Sequence, residues 1–131
     1  MTLESRQIGL YMEFTKIIQG TIDDYTDVMY NQEWTDFGDY LRKYGPTTNP
    51  EAFNKFIKVA DVFHSLGALV ADGVFEIESV YERSGFTIIP AWEKIGPVIQ
   101  GMRSLSNNPA IFPQFEYLYN ELVKYRETVS D

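Results

Sequence analysis

The chain has 131 residues, 44% of them hydrophobic, and its 19 acidic against 11 basic side chains give a formal net charge of −8. A chain of this length forms one domain, 1–131, around a core that needs no disulfide or metal. The absence of cysteine and the single histidine exclude by count a zinc finger, a redox pair, an iron–sulfur site and a disulfide scaffold.

The acidic balance, with a pI near 4.6, argues against nucleic acid and against anionic membranes, because both require clustered Lys and Arg. The first ten residues carry Glu4 and Arg6 and no apolar run behind a basic end, so a signal peptide is not expected. The longest uncharged apolar stretch, Val62 to Ala71, is interrupted by His64 and Ser65 and is about half of what a membrane span requires. The expected compartment is the cytoplasm.

Helical periodicity dominates the chain. In the first segment Ile8, Tyr11, Phe14 or Thr15, Ile18 and Ile22 recur at three and four, with Leu10 and Ile17 widening the stripe, which predicts a helix from about 3 to 19 stopped by Gly20. Thr21 to Asp24 reads as a capping box that opens a second helix. Its apolar residues fall on two sides, Tyr25, Val28 and Met29 on one and Trp34, Phe37, Tyr40, Leu41 and Tyr44 on another, so a break is expected near Asn31 and Gln32. Gly45 to Thr48 is the clearest loop.

Asn49 followed by Pro50 predicts a third helix, with Asn as cap and Pro where a missing N–H does no harm; Thr48 with Glu51 is the competing cap. That helix is apolar on two sides, Phe53, Phe56, Ile57, Ala60, Phe63 and Gly67 against Val59, Val62, Leu66, Leu69 and Val70, so it should be the buried central element, ending at Asp72 and Gly73. Ile77, Val80 and Tyr81 predict a short helix closed by Gly85. A long one follows from about 88 to 105, with Thr87 as cap, Pro90 in its first turn and a bend at Pro97. Asn107 to Pro109 is loop, and Phe115, Leu118, Tyr119, Leu122, Tyr125 and Val129 carry the last helix after Pro113. Phe86 to Ile89 is too short a candidate strand, and it runs into Pro90. The fold class is all-α, a compact bundle of five or six helices around a central buried helix.

From Phe63 onward, Phe63 with Leu66, Gly67, Leu69, Val70 and Gly73, then Val80 and Tyr81, Trp92, Arg103, and Phe115 with Glu116 and Leu118 follow one another in a pattern covering about half the chain. In these residues the chain resembles an uncharacterised family of small helical prokaryotic proteins, a domain of unknown function. The resemblance implies an all-helical fold and a prokaryotic source, and it implies no activity. Longer relatives in that family often have a membrane helix ahead of the domain, and no such helix is read here.

Six acids and no Lys or Arg lie between residues 21 and 40: Asp23, Asp24, Asp27, Glu33, Asp36 and Asp39. Shared helix faces and oxygen ligands would suit a divalent cation. Acids in a first helical turn and a solvated face explain the same residues, and no metal is expected. Arg42, Lys43, Lys55 and Lys58 follow, so the acids can pair with them inside the chain or across an oligomer. Asp61 and His64 share a helix face, but one histidine cannot build a carboxylate-bridged di-metal bundle, and Ser65 points away from its neighbour His64. Gly96 to Gly101 copies the glycine spacing of a P-loop, with Met102 and Arg103 where Lys and Ser or Thr are required. No catalytic motif and no cofactor are read.

Aromatic side chains make up 15% of the chain, and helices apolar on more than one side carry more apolar surface than a small core uses. The expected function is a non-enzymatic helical domain for self-association, most simply a two-fold dimer formed through the faces at 25–44 and 53–70, with a protein partner besides. The alternative is a small-molecule-binding bundle with Phe63, Tyr81 and Trp92 as pocket walls and His64 or Arg103 as polar anchor.

Overall fold

A computed structural model describes residues 3–130; Met1, Thr2 and Asp131 lie outside it. Six α-helices follow in order: α1 Leu3–Gly20, α2 Ile22–Thr26, α3 Phe37–Tyr44, α4 Pro50–Ala71, α5 Ile77–Ser106 and α6 Pro113–Val129. The described residues contain no strand, so the fold is all-α.

α2 does not begin with a cap. Thr21 keeps a helical backbone and its hydroxyl donates back to the Ile17 carbonyl at 2.9 Å, so α1 runs almost without a break into α2. The expected capping box at Thr21–Asp24 is therefore not formed, because capping needs an extended residue at that point. α2 then widens into one π-helical turn, Asp27–Asn31, and the chain turns extended at Gln32, where the change of apolar face predicted a break. α3 starts at Asp36, whose carboxylate accepts from the Asp39 N–H at 2.8 Å.

α4 begins as expected, with the Asn49 side chain accepting from the Ala52 N–H at 3.1 Å and Pro50 in the first turn. It is the hub of the molecule, packing closely on α1, α2, the π turn, α3 and α6. Phe56, Val59, Ala60, Phe63 and Leu66 are buried along it. Beyond Asp72 the backbone turns through Gly73 at φ +79°, a left-handed conformation that glycine adopts freely.

The two helices expected on either side of Gly85 are one. α5 runs unbroken for 30 residues, with Pro90 and Pro97 inside it. Gly85 acts as a seat: a Cβ there would come within 2.9 Å of the Tyr81 ring one turn earlier. Gly96 does the same for Trp92, and Gly101 takes the Phe37 ring of α3. These last two are the glycines of the P-loop-like spacing. Thr87, read as a cap, is mid-helix, and its carbonyl accepts from the Tyr25 hydroxyl at 2.9 Å in the turn that Pro90 crowds. Both prolines lie on the exposed side, where a carbonyl that loses its helical N–H meets water.

α6 closes the bundle by packing closely on both α4 and α5 and burying Phe115, Leu118 and Leu122. At its start the contact is backbone-close, since a Cβ at Gly67 would lie 2.0 Å from the Gln114 carbonyl oxygen.

Candidate functional site

Four of the five residues expected to form a ligand site meet at the start of α6. Phe63 and Trp92 both pack on Phe115, with ring centroids 5.3 and 5.0 Å away. His64 Nδ1 accepts the Gln114 N–H at 3.2 Å, taking up one of the unpaired donors of the first turn, and its ring lies edge-on to Phe112. Arg103 donates from Nε to the Ile111 carbonyl at 2.9 Å, from Nη2 to the Phe112 carbonyl at 3.3 Å and from Nη1 to Glu116 at 2.6 Å. Its guanidinium also lies 6.0 Å from the centre of the Trp92 ring.

This arrangement holds the loop from Asn107 to Phe112 in place. Both end residues have positive φ, 53° and 49°, a conformation rare for a bulky side chain such as Phe112. Arg103 and His64 supply the contacts that hold it there. Tyr81 stands apart from the other four, packed on Tyr125 of α6 at 5.1 Å.

A second polar centre was not read from the sequence. Lys94 of α5 points at the end of the π turn and donates to the carbonyls of Val28 at 2.9 Å, Met29 at 2.8 Å and Gln32 at 2.6 Å. All three of its protons are used, and the ammonium lies 4.8 Å from the centre of the Trp34 ring. Burial pushes this amine below the usual lysine range, while the Glu33 carboxylate opposes the shift. The sequence signal was a cation set between Ala91 and Val98, three before and four after it on a buried stripe.

Three of the six acids between residues 21 and 40, Asp27, Asp36 and Asp39, serve structural roles. Asp27 pairs with Lys55 of α4 and accepts from Asn31, and Asp36 caps α3. Asp39 accepts from the Thr35 N–H and pairs with Arg42 and Lys43. Lys55 and then Asn31 hold the Asp27 carboxyl below the usual range; for Asp39 the Thr35 N–H leads, with Lys43 and Arg42 adding to it. Among the described residues no three His, Asp or Glu side chains converge as metal ligands would.

Residues 4–122 match the family described as Domain of unknown function (DUF4760). The chain belongs to this family. Neither the curated proteins nor the solved structures give a significant match. The span matched to DUF4760 contains both centres, with Lys94, His64 and Arg103 all inside it.

Among the open features on the surface of this DUF4760 chain, two bear on its function. A cleft of about 260 Å³ separates α1 from the start of α5. Tyr11 lines it between Phe75, 4.4 Å away, and the Arg83 guanidinium, 4.8 Å from its ring centre. Burial raises the Tyr11 phenol, Arg83 opposes this, and the hydroxyl has no partner among the described residues. The other feature is a groove of about 470 Å³ between α5 and α6. No helix among the described residues is long and apolar enough to cross a membrane.

Proposed function

We propose that this is a non-enzymatic helical module that works by association, with a second copy of itself and with a protein partner, in the cytoplasm. The observation that carries the reading is the state of α1. It buries Phe14, half-buries Tyr11 and Ile18, and leaves Ile8, Leu10, Met12 and Ile17 between 45% and 62% exposed. Scattered exposed apolar residues are ordinary, but four on one helix, flanking its buried seam on both sides, leave an apolar surface of the kind partners cover. Of the aromatic faces at 25–44 and 53–70, Tyr40, Phe56 and Phe63 are buried inside the single chain, so these three rings do not meet a second copy. Sedimentation equilibrium of the full chain tests the reading. A two-chain mass at micromolar concentration is expected, and a single-chain mass at every concentration would overturn self-association.

A small-molecule site is the second reading, and the cleft between α1 and α5 favours it. Its wall is aromatic, through Tyr11 and Phe75, and Arg83 has no carboxylate partner among the described residues. On this reading the ligand meets Tyr11 and Arg83, while His64 and Arg103 stay engaged with α6. Native mass spectrometry would show extra mass that Arg83→Ala removes; a protein purified without extra mass would count against the reading.

A further inference from the structure

The groove between α5 and α6 carries a projection and a recess on one surface. Tyr81, Ile89 and Pro90 line the recess, and Glu93 and Arg126 contribute one charge of each sign. Phe86 stands at its edge, 79% exposed, the most exposed large apolar side chain among those described. Phe86, Pro90 and Glu93 recur at four and three, so they share one face of α5. Among the described residues neither Glu93 nor Arg126 is in an ion pair; Glu93 Oε2 accepts from the Tyr119 hydroxyl at 3.3 Å.

A two-fold contact presents the same patch twice, so a patch that holds both a knob and a hole, and both signs of charge, is complementary to itself. This one holds all four. An aromatic knob entering a recess walled by Tyr, Ile and Pro is also the kind of anchor that dominates binding at small interfaces.

We infer that this face is the contact between two copies of the chain, the Phe86 ring of one seated in the groove of the other, with Glu93 facing the partner's Arg126 in both directions. The inference rests on the self-association proposed above and names its surface. On this assignment the exposed flanks of α1 support the protein partner of that reading, and the α5 and α6 face supports the second copy.

Sedimentation equilibrium on the parent, Phe86→Asp, Glu93→Arg and the double variant Glu93→Arg with Arg126→Glu tests it, with circular dichroism reporting the fold of each. The parent should be a dimer, and Phe86→Asp should raise its dissociation constant on the order of 100-fold while keeping its helicity. Glu93→Arg should weaken the dimer, and adding Arg126→Glu should restore it, because reversing both charges rebuilds the same pair. Phe86→Ser provides the same comparison should the new carboxylate disturb the helix. A parent dimer that both Phe86 variants and the charge reversal leave intact overturns this surface but not self-association. A parent that is monomeric throughout overturns both.

Discussion

The seam between α4 and α6 and the underside of α1 are made from the same residue types, and they end in different states. In the seam Phe63, Trp92 and Phe115 interlock and Gly67 admits the backbone of Gln114, while His64 and Arg103 fix the chain where α6 begins. α1 has as regular an apolar stripe, yet only Phe14 is fully buried and Ile8 and Ile17 remain more than half exposed. Periodicity declares that a helix has an apolar face; it does not say which body covers that face. The seam is covered from within the chain, and α1 only along one edge.

Substitutions should separate the two regions by size of effect. Trp92→Ala removes the ring that fills the space between Phe115, Tyr119 and Gly96, and should lower the free energy of unfolding by about 3–5 kcal/mol in urea titration. A loss under about 1 kcal/mol would mean the seam is not what holds the fold. Next comes Lys94→Met, which keeps the bulk but strands three carbonyls at the end of the π turn; about 2–3 kcal/mol is expected. Asp36→Ala should cost about 1 kcal/mol by removing the cap of α3, and Asp36→Asn, itself a good cap, should recover most of it in thermal melts.

Acid should act on the Asp27–Lys55 pair. Its carboxyl is held below the unfolded value of about 4, so the stabilisation is complete above that pH and is lost as pH falls through the folded value. Asp27→Asn should therefore melt below the parent at neutral pH, the difference closing toward about pH 2. Equal gaps at both pH values would show that the charge on Asp27 contributes nothing. The smallest effect belongs to α1: Leu10→Ser should change the stability of the isolated chain by less than about 0.5 kcal/mol, and a larger loss would show that this flank is covered from within.

Local signals were the ones that could be read. Asn49 and Pro50 open α4 because a cap and a first-turn proline act within three residues, and the two apolar faces of α4 marked it as the hub before any neighbour was known. Gly85 misled because a glycine that ends a helix and one that seats a ring look alike in sequence; what distinguishes it is Tyr81 one turn earlier. Asp36 was read as part of a solvated face because its capping role depends on where α3 starts, which the break at Gln32 decides. Lys94 was missed for a stronger reason: its three carbonyls lie 62 to 66 residues earlier in the chain, and only folding brings them together. Phe63, His64, Trp92 and Arg103, grouped from the sequence as one ligand site, do come together, and their contacts in the structure go to α6.

Hydrogen exchange measured at two protein concentrations tests most directly the claim that the chain closes its own seam and leaves other surfaces to a second copy. Amides of α4 and α6 near the seam should exchange slowly and equally at both concentrations, while those of α5 around Phe86 should slow as the concentration rises. Exchange that is the same at both concentrations along the whole chain, with the seam no better protected than α1, would contradict the account.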